Sequence, residues 1–189
     1  MQSVIVLYDA CVLYPAPLRD LLMHLAMTGL FRAKWTNEIH DEWLRNVLAN
    51  RGDLKRSQLE RTRDLMNKHV HDCLIEGYEY LIPSLKLPDP TDRHVLAAAI
   101  HSSTSIILTY NLKDFPAKSL NIYNINALHP DKFLTQLIDL EPDIICSTIK
   151  KVRATLKKPP TSINKYLSIL EKQSLPNTVK KLEPFSNLL

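Results

Sequence analysis

Apolar and polar positions follow two rhythms along the first 130 or so residues. Short apolar-rich runs occupy residues 3–8 (SVIVLY), 31–35 (FRAKW) and 105–109 (SIILT). Runs of this length with β-branched residues predict buried strands of a parallel sheet. Weaker runs at 78–82 and 121–125 predict two more strands. Between them lie stretches of helical period. Leu18, Leu21, Leu22, Leu25 and Ala26 share one helix face, with Pro17 suited to the first turn and Gly29 to the stop. Thr36 or Asn37 caps a helix that carries Ile39 and Trp43 and runs to about Leu48. A charged helix is predicted over 54–70. Pro88 and Pro90 then keep the chain extended, and Thr91 or Asp92 opens a helix whose Val95, Leu96, Ala98, Ala99 and Ile100 imply burial between layers. Strands alternating with helices predict an α/β fold with a mainly parallel sheet.

From about residue 129 the pattern becomes helical only: 130–140, 142–156, 161–172 and a short final helix, each entered or interrupted by proline. The change divides the chain into residues 1–128 and a helical extension, 129–189. A chain of 189 residues can bury one core and carry such an appendage. No segment reaches the length of a membrane span, and the first residues lack the basic stretch of a secretion signal. The three cysteines (Cys11, Cys73 and Cys146) are too scattered for a disulfide framework. These features predict a cytoplasmic protein in a reducing compartment. Charge is unevenly spread: residues 142–189 hold nine Lys/Arg and three Asp/Glu, a net +6, which leaves −2 for the rest. A basic segment beside an acidic one suits a polyanionic substrate, and it also describes an ordinary solvated helix face.

The candidate chemistry lies in acids at the ends of the apolar runs: Asp9, Glu38 with Glu42, Asp89 with Asp92, and Asp114. Adjacent parallel strands would gather these carboxylates at their carboxyl ends, where sites of such sheets form. Carboxylates that close repel one another, and a divalent cation among them relieves the repulsion. An all-oxygen set suits Mg²⁺ or Mn²⁺ and points to phosphate-ester chemistry. Gly29, Gly52 and Gly77 are isolated, so no phosphate-cradling loop is expected. His69, His71 and Cys73 do not share a helix face and lack a fourth ligand, which argues against zinc.

The stretches VIVLYDACVLYPAPLRDLLMHLA, WTNEIHDEW, LPDPTDRHVLAAAI and ILTYNLKDFP occur in an order that resembles the PIN-domain ribonucleases, in particular VapC-like toxins of bacterial toxin–antitoxin pairs. The stretch from LHPDKFL to LKKPP is similar to a helical extension found in one subgroup. The resemblance implies a parallel β-sheet flanked by α-helices, and a Mg²⁺- or Mn²⁺-dependent endoribonuclease. It also implies an RNA substrate, an antitoxin that covers the acidic cleft, and a homodimer. By the same resemblance Asp9, Glu42 and Asp92 are catalytic acids, with Asp9 and Asp92 on the metal and Glu42 positioning or deprotonating water; Asp114, outside the family's pattern, is the fourth candidate acid and metal ligand. Thr109, Asn111, Asp89 and Glu38 are supporting residues, and Arg19, Arg93 and Lys113 are candidate phosphate contacts. One departure stands out. Many relatives carry Asp where this chain has Asn111, so Asp114 either supplies the missing charge or merely structures its loop. An inert RNA- or protein-binding module on the same fold, and a DNA-directed nuclease, are the competing readings.

Overall fold

Parallel pairing of β1 (Ile5–Tyr8) with two neighbours organises the chain in the computed structural model, which describes residues 4–156 and 160–189. On one side lies β2 (Arg32–Lys34), on the other β3 (Ile106–Leu108), and β4 (Asn126–Leu128) completes a sheet of order β2-β1-β3-β4. Leu7 stands opposite both Lys34 and Ile107, and Leu108 opposite both Tyr8 and Leu128. Val6, Leu7 and Tyr8 are fully buried, as the central strand of a sheet covered on both faces must be. The expected α/β class with a parallel sheet flanked by helices is the observed one. Of the first predicted run, Ser3 lies outside the described residues, as do Lys157, Lys158 and Pro159.

The first six helices are α1 (Ala10–Leu13), α2 (Ala16–Ala26), α3 (Asn37–Asn50), α4 (Arg56–His69), α5 (Arg93–His101) and α6 (Ala117–Leu120). Thr36 caps α3, its Oγ1 accepting from the Ile39 amide at 3.1 Å. Behind it, Trp43 Nε1 donates to His40 Nδ1 at 3.0 Å, and Trp35 Nε1 donates to Asn67 Oδ1 at 2.8 Å. His40 Nε2 lies 3.0 Å from the same Asn67 oxygen, which ties α3 to α4 and to the end of β2.

Two predicted strands are corrected. Residues 78–82 do not join the sheet. Gly77, at φ +76°, turns the chain, and Glu79–Ser84 winds into a 3-10 helix that contains Pro83, which has no N–H for a ladder. Residues 121–125 were also expected to be extended. Instead Asn121–Tyr123 is a 3-10 turn closed by Asn124 in the left-handed region, and the strand starts one residue later than the predicted run ends. The short α1, directly after Asp9, had no sequence signal.

The remaining helices are α7 (Pro130–Leu140), α8 (Pro142–Thr155), α9 (Ile163–Glu171) and α10 (Pro176–Leu182). They are not a separate body. α8 and α9 pack on α2, and Ile145, Cys146, Ile149, Val152, Tyr166 and Leu170 belong to the same continuous core as the sheet. Phe133 meets Phe31 edge to face at 5.2 Å between ring centres. Buried Asp131 holds α10 to α7. Its carboxylate accepts from the Asn177 and Thr178 amides, from Asn177 Nδ2 and from Thr178 Oγ1, at 2.7–3.2 Å. An anion is favourable at that helix start.

Truncating Asp131 would strand several donors in a buried place. Asp131→Ala is expected to lower stability by about 3 kcal/mol in urea unfolding. A loss within measurement error would show that α10 is held by apolar packing alone.

Candidate active site

β1 ends where its last rung is made: the Asp9 amide donates to Leu108 O at 3.1 Å, and the chain then turns into α1. Asp9 occupies the N-cap position of α1, but its side chain makes no capping bond. Its Oδ2 instead accepts from Thr109 Oγ1 at 2.7 Å and from Cys11 Sγ at 3.0 Å. The residue is 4% exposed. Burial raises its pKa; the bonds from Cys11 and Thr109 oppose the rise, while the charge of Glu42 adds to it.

Asp92 reaches the same place from another direction. Asp89 Oδ1 accepts from the Thr91 amide at 2.8 Å and from Thr91 Oγ1 at 2.7 Å, which shapes the turn Pro90–Asp92. Asp92 then enters α5 in helical conformation with no side-chain capping bond, so its carboxylate is not consumed by the helix end. Its pKa is pushed up to about 7, first by burial and then by the charges of Asp9, Asp89, Asp114 and Glu42. Acids from four separate stretches of chain therefore lie close enough for their charges to act on Asp92, near the carboxyl ends of β1 and β3.

Glu42 is half-buried on α3, one turn beyond Glu38. Between them sits a residue that the sequence reading did not single out. His94, on α5, places Nε2 3.7 Å from Glu42 Oε2 and Nδ1 3.6 Å from Glu38 Oε2. The ring is buried, and Nδ1 has no hydrogen-bond partner. Burial disfavours its cation, but Glu42, Glu38 and Asp9 outweigh burial and raise its pKa. Glu38 also accepts from Tyr78 OH at 3.1 Å, so it ties α3 to the 3-10 helix while leaving Glu42 nearer the acids.

Around the fourth stretch, the Asn111 amide donates to Thr109 Oγ1 at 3.0 Å, while its side chain is exposed. Asp114 closes the 3-10 turn Leu112–Asp114, its amide donating to Asn111 O at 3.0 Å, and it adds negative charge at Asp92. Among the described residues, no three His, Cys, Asp or Glu side chains already form a metal-holding group. Asp9, Asp92 and Asp114 offer hard carboxylate oxygens, and the charges of Asp9 and Asp114 act on Asp92, a chemistry that fits a hard divalent cation. Of the basic candidates, Arg19 is turned inward. Its guanidinium donates to Leu13 O at 2.6 Å and lies 4.6 Å from the Trp43 ring centre, so it closes α1. Arg93 Nε donates to Pro90 O at 2.9 Å, and Lys113 is exposed near Asp89.

Cys11 and His94 are the neighbours that sequence reasoning missed. Each stands two residues after an acid already singled out, Cys11 after Asp9 and His94 after Asp92. That offset was the available signal.

The chain matches the PIN domain family over residues 5–113, more than half its length, and belongs to that family. Residues 130–184 match the VapC50 C-terminal domain. A Mycobacterium tuberculosis protein provisionally named ribonuclease VapC50 is 38% identical over 97 residues, covering 51% of this chain and 57% of that protein. No solved structure matches the chain.

The crowding at Asp92 has a signed consequence for stability. A carboxyl whose folded pKa lies above its unfolded value, about 3.9, keeps its proton longer in the fold. Its stabilising share is present at low pH and is lost as pH rises toward about 7. In chelator-treated protein, Asp92→Asn should therefore flatten the fall in melting temperature between about pH 4 and 7 and raise the melting temperature above pH 7. Parallel melting curves for the two proteins would mean that Asp92 does not titrate abnormally.

Proposed function

We propose that this PIN-domain chain is a Mg²⁺- or Mn²⁺-dependent endoribonuclease, the toxin of a toxin–antitoxin pair. The observation that carries the reading is the gathering of acids at the ends of β1 and β3, where Asp9 is buried and Asp92 makes no capping bond, and where burial and then the charges of Asp9, Asp89, Asp114 and Glu42 raise the Asp92 pKa. Carboxylates that destabilise one another without a cation are the expected design of a hard-metal site. The matched PIN domain and the ribonuclease name of the relative support the choice of RNA. Residues 1–128 would be the nuclease domain and 129–189 the helical extension, in keeping with matches over 5–113 and 130–184.

In this reading Asp9, Asp92 and Asp114 hold the cation. When bound, the cation supplies Lewis-acid activation of water and neutralises charge developing on the phosphate. Thr109 holds the Asp9 carboxylate through its 2.7 Å bond. Glu42, kept beside the group by His94, orients the attacking water and accepts its proton. Lys113 and Arg93 contact the phosphate backbone. Asp89 shapes the loop, Glu38 braces α3, and Asn111 contributes its backbone amide. An antitoxin would cover the acidic cleft, and a homodimer and a cytoplasmic setting complete the proposal. Among the described residues, no helix is long and apolar enough to cross a membrane.

A second reading, a weak or inert RNA- or protein-binding module, is favoured by one observation: Asn111 stands uncharged and exposed at the place where the family resemblance implies an Asp. Cleavage separates the two. Asp9→Asn removes a charge with little change in shape and should leave the fold intact while abolishing Mg²⁺-dependent RNA cleavage. Equal cleavage by mutant and wild type, after purification from host nucleases, would reject the role of Asp9, and absence of Mg²⁺-dependent cleavage by the wild type itself would reject the nuclease assignment.

The basic extension has its own test. Lys150 and Lys151 are exposed on α8, whereas Lys157 and Lys158 lie outside the described residues. Replacing Lys150 and Lys151 with Gln should reduce the slope of log affinity against log salt by about 1.4 for single-stranded RNA. An unchanged slope would make α8 an ordinary solvated face.

A further inference from the structure

Asp9 is held by two side chains arranged alike. The Asn111 amide donates to Thr109 Oγ1 at 3.0 Å, and that hydroxyl donates to Asp9 Oδ2 at 2.7 Å. The Tyr110 amide donates to Cys11 Sγ at 3.2 Å, and that thiol donates to the same Oδ2 at 3.0 Å. Successive amides at the end of β3 thus orient two donors, and both donors converge on one carboxylate oxygen. The two donor atoms lie 3.3 Å apart, side by side on that oxygen. With Oδ2 taken by both side-chain donors, Oδ1 receives no side-chain hydrogen bond among the described residues; the Ala10 backbone amide also supports the carboxylate.

We propose that Cys11 is a positioning residue for the nuclease reaction: together with Thr109 it locks the Asp9 carboxylate so that Oδ1 faces the other acids. The inference rests on the nuclease reading above. It assigns the thiol a geometric task and no covalent step. A residue that only filled space would act through volume. One that orients a carboxylate acts through its donor hydrogen, and serine keeps that hydrogen where alanine does not.

Cys11→Ala and Cys11→Ser separate the two roles, with Asp9→Asn as reference. Mn²⁺ affinity is read from free Mn²⁺ by electron paramagnetic resonance without RNA, and kcat and KM are then measured with RNA. Cys11→Ala should bind Mn²⁺ about tenfold more weakly, as loss of a bond that orients a metal ligand does. Its kcat should fall while KM for RNA stays constant. Cys11→Ser should recover most of both losses, and the two variants should melt alike. Cys11→Ala and Cys11→Ser behaving identically in Mn²⁺ affinity and kcat would overturn the inference and leave a packing role. In that case an inactive Asp9→Asn would show the nuclease reading still standing. If Asp9→Asn bound Mn²⁺ and cut RNA as wild type does, the place of Asp9 in the metal site would fail and this inference with it; a wild type without Mn²⁺-dependent cleavage would end the nuclease reading itself.

Discussion

The acidic site depends on β1 running in parallel between β2 and β3. With Tyr8 opposite Leu108, the residue after each strand end falls beside the other, which brings Asp9 to Thr109 across a hundred residues of sequence. A parallel neighbour also requires a long crossover, and here the crossovers are what deliver the remaining acids. The chain leaves β2 into α3, which carries Glu42, and it returns to β3 through α5, at whose start Asp92 stands. A shift of one residue in the β1–β3 register would move Asp9 away from Thr109 and also carry fully buried side chains such as Leu7 and Ile107 to the opposite packed face, where they would not fit. The core thus defends the site geometry.

Electrostatics runs against this arrangement. Asp9 is buried, and Asp92 is forced up to about 7 by burial and by four neighbouring acids. The fold balances part of this with donors rather than with cations. Thr109 and Cys11 donate to Asp9, Tyr78 to Glu38 and Thr91 to Asp89, while His94 sits between the two glutamates of α3. Arg19, the basic residue nearest the first stretch, is engaged with the Leu13 carbonyl and the Trp43 ring. Its charge serves the inner layer and is not spent on cancelling the acids. The residual negative charge is therefore concentrated toward Asp92, where several stretches meet.

Much of this was legible in the sequence because hydrophobic period and chain order carry it. The apolar runs ending at Tyr8 and Thr109, and the apolar helix beginning after Asp92, left little freedom about which ends of the elements held acids. Proline starts marked α7, α8 and α10 for the same local reason. What failed was decided by short-range backbone conformation. Asn124 takes a left-handed turn, so β4 begins later than its apolar pattern suggested, and Gly77 with Pro83 converts an apolar stretch into a 3-10 helix. The roles of Cys11 and His94 were unreadable because each is set by a partner in another element: Thr109 and Tyr110 for the thiol, Glu38 and Glu42 for the imidazole. Periodicity reports which face a residue is on and is silent about which atom it meets there.

The helical extension touches this same geometry. Tyr110 follows Thr109 at the end of β3, its amide donates to Cys11, and its hydroxyl donates to Gln173 O at 2.7 Å, just beyond α9. Its ring also meets His129 edge to face at 5.0 Å, at the entry to α7. One residue therefore has its backbone in the hydrogen-bond chain that ends on Asp9 and its side chain clamped between two parts of the extension. Phe133 against Phe31, and α8 with α9 against α2, hold the extension to the sheet at other points, so its seat does not rest on Tyr110 alone. The extension is then a buttress. By fixing Tyr110 it fixes the amide that orients Cys11, and packing far from the acids becomes part of what sets the direction of a buried carboxylate.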